Sequence, residues 1–112
     1  MTSTLSTHVL DTASGQPARG ITVSLWQGDA LLYEGATNND GRCPELGEGR
    51  SLTAGAYRLQ FHVADYFRTQ GVALPDPPFL DIVSIDFGVA GEGHYHVPLL
   101  VSPFAYSSYR GS

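Results

Sequence analysis

The sequence predicts an all-β sandwich in a single domain spanning residues 1–112. Several short stretches alternate polar and apolar residues with a period of two, as strands with one buried face do. Turn-forming residues separate these stretches, and only one stretch has the composition and length of a helix. Seven or eight short strands with one small helix are typical of a sandwich, and a chain of 112 residues suits one domain.

Alternation and turn residues predict three strands in the first half of the chain. In the first strand the odd-numbered side chains share one face, and the even-numbered side chains, including His8, share the other. Gly28 and Asp29 connect the second and third strands closely enough for a hairpin. The sequence Asn-Asn-Asp-Gly at 38–41 is the strongest turn signal, because these residues tolerate the left-handed backbone conformation, and Arg42 follows it directly. The predicted strands are 5–11, 20–27 and 30–37.

The second half of the chain contains one candidate helix between two alternating stretches. The helix covers 64–70 and ends before Gly71. The segment 45–49 is acidic and rich in glycine, so we expect a loop there. In the later alternating stretch, Phe79 is expected to share the apolar face with Val83. The predicted strands of this half are 56–63, 79–87 and a last strand that begins at His94.

Composition excludes several classes of function. A formal charge of −5 argues against nucleic acids and anionic membranes, because both select basic surfaces. The sequence has no run of about twenty apolar residues that would cross a bilayer. Its first residues lack the basic and apolar regions of a signal peptide. Cys43 is the only cysteine, which forbids an intrachain disulfide and suits a reducing cytoplasm.

Residues 94–112 carry the densest set of functional groups. His94 and His96 are two positions apart, so an extended chain places both on one face and the apolar residues that alternate with them on the other. Pro98 has no N–H to donate, so we expect it beside solvent or a bulge. The tetrapeptide 109–112 (Tyr-Arg-Gly-Ser) supplies an aromatic ring, a guanidinium, a hydroxyl and a carboxylate, which predicts an ordered segment with a function. The alternative is an ordinary last strand with a polar tip.

The four histidines raise the alternative of a metal site. His94 and His96 have the spacing of two zinc ligands on a strand. No third ligand stands at a recognisable spacing from them, and Cys43 is isolated in the sequence. The glycines at 88–93 have the wrong order for a dinucleotide-binding loop, and they precede a strand instead of a helix. The sequence therefore predicts neither a metal nor an organic cofactor.

A small polar set remains on this otherwise apolar sandwich. Histidine transfers protons near neutral pH, and arginine holds a planar anion or an oxyanion with a fixed fork of donors. Serine at the last position offers a hydroxyl and a carboxylate. Each of these residues, taken alone, also fits an ordinary surface position, and the sequence does not show whether they converge. The candidate set is His8, Arg42, His96 and Ser112.

Three motifs resemble one enzyme family. The sequence His-Val-Leu-Asp-Thr-Ala at 8–13, the sequence Asp-Gly-Arg at 40–42 and the segment 94–112 are similar to those of 5-hydroxyisourate hydrolases, the transthyretin-like enzymes of urate breakdown. The similarity runs from end to end. Ser108 stands where threonine is more common, and no role is assigned to that position. The resemblance implies a transthyretin-type β-sandwich of two four-stranded sheets with one short helix. It also implies a homotetramer, built as a dimer of dimers, with active sites between the dimers.

The activity implied by the resemblance is the hydrolysis of 5-hydroxyisourate to 2-oxo-4-hydroxy-4-carboxy-5-ureidoimidazoline. Water adds to a carbonyl of the six-membered ring and a C–N bond breaks, which requires a water activator, an oxyanion holder and a proton donor. Which histidine is the general base stays open. The implied catalytic residues are His8, Arg42, His96 and Ser112, and the implied substrate-binding residues are these four with Tyr109, Arg110 and Gly111.

A transthyretin-like carrier of a small hydrophobic ligand is the alternative function. A carrier needs a channel with apolar pockets. The matching positions of this sequence hold polar and bulky residues instead, namely His8, Arg42, His96 and Tyr109. The sequence therefore favours the hydrolase.

Overall fold

The computed structural model describes residues 3–111, which form two four-stranded β-sheets. The predicted all-β sandwich is confirmed. The strands are β1 (Ser3–Asp11), β2 (Gln16–Pro17), β3 (Thr22–Gln27), β4 (Ala30–Ala36), β5 (Gly55–His62), β6 (Ile82–Val89), β7 (Gly93–Val101) and β8 (Tyr106–Ser108), and the helices are α1 (Pro44–Gly47) and α2 (Val63–Thr69).

Each sheet combines strands from distant parts of the chain. The first sheet has the order β2-β1-β7-β8, and the second has the order β4-β3-β5-β6. β1 and β7 run parallel, in a register that pairs Ser6 with His96 and His8 with Pro98. All the other strand pairs are antiparallel, including the predicted hairpin of β3 and β4. The parallel pair joins the first long strand to the last one, and it carries most of the polar candidates.

The core lies between the two sheets and follows the predicted alternation. On β1 and β7 the odd-numbered side chains from Leu5 to Val9 and from Tyr95 to Val101 are buried. The even-numbered side chains Ser6, His8 and His96 are half-buried on the outer face. Burying one face of each strand supplies most of the driving force for folding. Other fully buried core residues are Ile21, Val23, Leu25, Leu59, Phe61 and Phe67.

Two predictions of secondary structure were wrong. Phe79 does not join the apolar face of a strand, because β6 begins only at Ile82, after the proline-rich loop, and the Phe79 side chain is 70% exposed beside Phe104. The segment predicted as a loop at 45–49 instead contains α1, a single turn that starts at a proline and buries Leu46. Proline is favourable in the first turn of a helix, since its missing N–H would have no partner there. The candidate helix at 64–70 is confirmed as α2.

Pro98 occupies a gap in the hydrogen-bond ladder, not a solvent-facing edge. It is buried in β7, where the pairing with β8 covers only Leu99 to Val101. Its carbonyl accepts a 2.7 Å hydrogen bond from the Ser108 hydroxyl, on the β8 side. In a strand, the nitrogen and the carbonyl of one residue point to the same side. The Pro98 nitrogen therefore faces the β8 side, and its missing N–H interrupts no bond to β1. Neither helix of residues 3–111 has the length and apolarity needed to cross a membrane.

Candidate active site

The outer face of the first sheet brings the candidate histidines together. Residues that pair across β1 and β7 share a face, so Ser6 and His96 lie side by side and His8 lies one step further along β1. His8 and Arg42 form a β-bridge, and bridged residues share a face, so the Arg42 side chain lies on the same outer face as the imidazoles. The convergence that the sequence does not show is therefore present for His8, Arg42 and His96.

The turn at 38–41 positions Arg42 beside His8. The Asn38 side-chain oxygen accepts hydrogen bonds from the backbone N–H groups of Asp40 (2.9 Å) and Arg42 (3.0 Å). Gly41 has a φ of 75°, and its carbonyl accepts the Val9 N–H at 2.8 Å. A side chain at Gly41 would lie 2.5 Å from the Val9 carbonyl oxygen, so only glycine fits both the conformation and the space. This contact produces a β-bridge between His8 and Arg42.

The C-terminal segment lies against the His96 ring. The Gly111 N–H donates to the His96 carbonyl at 2.8 Å, on the side of β7 opposite β1. A Cβ atom at Gly111 would lie only 2.5 Å from Cδ2 of His96. Glycine is therefore required for this close approach, and the segment defines one wall beside the imidazole. The Ser112 side chain, predicted to take part in the site, lies outside the described residues.

The side chains of Arg110 and Tyr109 do not point toward the candidate histidines. The Arg110 guanidinium lies over the Tyr95 ring at 4.2 Å from its centroid, a cation–π contact, and donates to the His94 carbonyl at 3.4 Å. Tyr109 is 62% exposed, and with Arg110 it lines a shallow cavity between the edges of β6 and β8. The structure therefore does not bring these two side chains to the imidazoles. Arg110 holds the C-terminal segment on β7 through the Tyr95 ring and the His94 carbonyl.

The His96 ring contacts a hydroxyl, and its surroundings disfavour the protonated form. Its Nδ1 lies 2.7 Å from the Ser6 hydroxyl, and Nε2 has no hydrogen-bond partner within residues 3–111. Burial lowers the pKa of His96, and the charges of Arg42, His94 and His8 lower it further. A neutral imidazole with a free Nε2 is suited to accept a proton from water at neutral pH.

Removing the Arg42 charge is expected to raise the pKa of His96. In Arg42→Gln the repulsion between the guanidinium and the imidazolium disappears, so the protonated ring becomes less unfavourable. An NMR titration of the His96 ring protons measures the shift. The control is Arg58→Gln, since Arg58 pairs with Asp86 on the second sheet. An unchanged His96 titration in Arg42→Gln would show that the guanidinium does not face the ring.

The surroundings of His94 bear on the metal alternative. Within residues 3–111 no group of three or more histidine, cysteine, aspartate or glutamate side chains is placed to share a metal ion. The His94 ring is engaged at both nitrogens, by the Thr4 hydroxyl at 2.6 Å and by the Ser6 hydroxyl at 2.8 Å. A metal bound to His94 would have to displace one of these hydroxyls.

Two polar residues of the site, Ser6 and Thr4, were absent from the predicted set. Both lie on the outer face of β1 with His8, and Ser6 contacts His94 and His96 together. The period of the first strand already placed their hydroxyls on the His8 face. What the sequence lacked was the β1–β7 register, which brings them opposite the histidines.

Comparison with known proteins identifies relatives of this chain. Residues 5–111 match the HIUase/Transthyretin family. The chain is 54% identical to 5-hydroxyisourate hydrolase of Ralstonia nicotianae, over 96% of this chain and 97% of that protein. It is 40% identical to 5-hydroxyisourate hydrolase of Mus musculus, over 98% of this chain and 96% of that protein.

Solved structures share the same fold. The structure of Klebsiella pneumoniae 5-hydroxyisourate hydrolase superposes with a TM-score of 0.87 at 39% identity, covering 98% of this chain and 99% of that one. Sea bream transthyretin in complex with thyroxine superposes with a TM-score of 0.84 at 28% identity, covering 96% of this chain and 93% of that one. The match over nearly the whole length, in sequence and in fold, means that this chain belongs to the HIUase/Transthyretin family.

Proposed function

We propose that this protein is a hydrolase that converts 5-hydroxyisourate to 2-oxo-4-hydroxy-4-carboxy-5-ureidoimidazoline in urate degradation. The observation that carries the proposal is the convergence of His8, Arg42 and His96 on one face, with Gly111 against the His96 ring. The relatives named 5-hydroxyisourate hydrolase, up to 54% identical over nearly the full length, support the same activity.

The site offers one group for each chemical requirement of the reaction. The free Nε2 of neutral His96 takes a proton from the attacking water. Arg42 binds the carbonyl that the water attacks and stabilises its developing negative charge. His8, bridged to Arg42, hydrogen-bonds the polar edge of the flat ring and keeps it in register. The proton on His96 then passes to the ring nitrogen as the C–N bond breaks. No step requires a metal or an organic cofactor.

A spectrophotometric assay tests the activity. Purified protein, added to freshly generated 5-hydroxyisourate, is expected to accelerate its loss of ultraviolet absorbance well above the spontaneous rate. Activity is expected to survive treatment with a strong chelator, since histidine and arginine suffice for the chemistry. An unaccelerated decay would contradict the proposal, and tight retention of a small apolar ligand without turnover would favour a carrier. A loss upon chelation that zinc restores would instead support a His94–His96 metal site.

We further propose that the protein is a cytoplasmic homotetramer, a dimer of dimers. The candidate residues lie on an outer sheet face of a single subunit, so a second surface would close them into a pocket for a purine-sized ring. Half-buried Leu10 and Leu100 extend this face with apolar surface suitable for contact with another subunit. The edge strands β6 and β8 line one shallow cavity, and edge-to-edge pairing at this place would join two subunits.

Light scattering at assay concentration is expected to give about four times the chain mass of 12.0 kDa. If the pocket forms between subunits, activity should fall steeply on dilution below the dissociation constant of the assembly. Charge introduced on the outer face, as in Leu100→Arg, should weaken the assembly and the activity together. A fully active monomer would contradict this proposal and leave the hydrolase activity unaffected.

A further inference from the structure

A continuous chain of hydrogen bonds leads from His96 to the exposed edge of the first sheet. His96 Nδ1 contacts the Ser6 hydroxyl at 2.7 Å, and the same hydroxyl contacts Nε2 of His94 at 2.8 Å. On the far side of its ring, His94 Nδ1 contacts the Thr4 hydroxyl at 2.6 Å. Ser6 and His96 are half-buried, whereas Thr4 and His94 are exposed. The chain therefore joins the site to solvent.

We propose that these four residues, Thr4, His94, Ser6 and His96, form a proton relay that lets His96 change between base and acid without holding two protons. The inference rests on the proposed hydrolysis and deepens it. His96 is the group that meets the substrate, whereas Ser6, His94 and Thr4 are positioning residues that act through it.

The hydrogen-bond chain has two consistent directions. A hydroxyl has one proton and a neutral imidazole has one N–H, so each member donates once and accepts once. In the first direction His96 donates from Nδ1 to Ser6, Ser6 donates to His94, and His94 donates to Thr4. His96 Nε2 then carries a lone pair and acts as a base. In the reverse direction Ser6 donates to His96 Nδ1, so Nε2 carries the proton and acts as an acid.

The proton balance follows from this alternation. When His96 Nε2 takes a proton from water, its Nδ1 proton moves to the Ser6 oxygen as the Ser6 proton moves to Nε2 of His94. The Nδ1 proton of His94 moves to the Thr4 oxygen, and the Thr4 hydroxyl releases its own proton to solvent. One proton enters at His96 and one leaves at Thr4. The reverse sequence follows when His96 protonates the leaving ring nitrogen.

The surroundings of His96 supply the reason for a relay. The titratable and charged groups that act on the ring are Arg42 on the loop after β4, His94 on β7 and His8 on β1, and each disfavours a positive imidazole. Burial acts in the same direction and more strongly. A general base that became an imidazolium here would raise the energy of the intermediate. Passing the second proton outward avoids that charge.

Kinetics of single variants test the relay. His94→Gln keeps a hydrogen-bonding group near Ser6 but cannot pass a proton. We therefore expect kcat to fall about tenfold with little change in KM. This loss is a fraction of the usual contribution of general acid–base catalysis. Ser6→Ala is expected to lose at least as much, and Ser6→Thr, which keeps the hydroxyl, to recover most of it. His94→Ala should regain activity when imidazole is added to the buffer, because the site of His94 is exposed. His62→Gln, on the second sheet, is the matched control and should keep wild-type kcat.

Nitrogen NMR of the resting protein tests the relay without any turnover. Averaged shifts at both ring nitrogens of His96 are expected in the wild type, because both directions of the chain are populated. In His94→Gln one direction should dominate, and His96 should adopt a single tautomer. Wild-type kcat and pH profile in both His94→Gln and Ser6→Ala would overturn the relay, as would an unaltered His96 tautomer. If the wild type instead fails to hydrolyse 5-hydroxyisourate while the tautomer responds to His94→Gln, the proposed function fails and the relay stands.

Discussion

Replacing His96 with asparagine is expected to lower kcat/KM for 5-hydroxyisourate by about 10²–10⁴. Asparagine keeps an amide group near the position of Nδ1 and can still hydrogen-bond the Ser6 hydroxyl, which lies 2.7 Å from the imidazole. It has no counterpart of Nε2, so the attacking water loses its base. Most of the loss should appear in kcat, because the substrate still meets Arg42 and His8. Steady-state rates from the ultraviolet assay measure the effect.

The matched control for this prediction is His62→Asn. His62 is half-buried at the end of β5, in the sheet opposite the site, and its substitution should leave the rate unchanged. Circular dichroism and the melting temperature establish that both variants are folded. If folded His96→Asn retained more than about a tenth of the wild-type kcat, His96 would not be the base, and His8 would take that role.

Deleting residues 109–112 is expected to reduce activity by about 10² or more while the sandwich remains folded. The deletion removes Gly111 from the face of the His96 ring and, with it, whatever Ser112 contributes. Few stabilising contacts are lost, because Tyr109 and Arg110 are exposed. The Arg110–Tyr95 contact and the Gly111–His96 backbone bond together account for about 1–2 kcal/mol. The melting temperature should therefore fall by only about 4–10 °C.

A single methyl group distinguishes a specific role of this segment from simple loss of chain. Gly111→Ala places a Cβ atom 2.5 Å from Cδ2 of His96, so either the ring or the segment must move. The control is Gly91→Ala, where an added Cβ meets no atom within 4 Å. We expect Gly111→Ala to reduce kcat and Gly91→Ala to leave it unchanged. Wild-type turnover in the folded deletion variant would remove the segment from the site.

The sequence was sufficient to predict which side chains share a face of each strand, but not which residues of different strands pair with each other. Period-two alternation correctly placed His96 and His8 on outer faces, because burial of the alternate apolar residues leaves no other choice. The bridge from His8 to Arg42 depends on how a turn meets a strand about thirty residues earlier, and local pattern does not encode that contact. The Ser6–His94 contact likewise requires the β1–β7 register.

The two wrong predictions of secondary structure have local causes. At Phe79 the alternating pattern extends back into a proline-rich loop. The pairing of β6 with β5 begins only at Ile82, and this pairing decides where the strand starts. At α1 the acidic and glycine-rich composition concealed one buried side chain, Leu46, which ties the turn to the core. In both places tertiary contacts overrode the local signal.

The parallel pairing of β1 with β7 has a consequence for how the protein acquires activity. Ser6 and His96 are 90 positions apart in the sequence, so the site exists only after β1 and β7 have paired across the whole intervening chain. Non-local pairing of this kind slows folding, because the entropy of loop closure must be overcome before the contacts form. Hydrolysis should therefore be among the last signals to return during refolding, after the hairpin of β3 and β4 has regained its structure. A nascent chain whose β7 segment has not yet left the ribosome would be inactive, even if its earlier strands were fully formed.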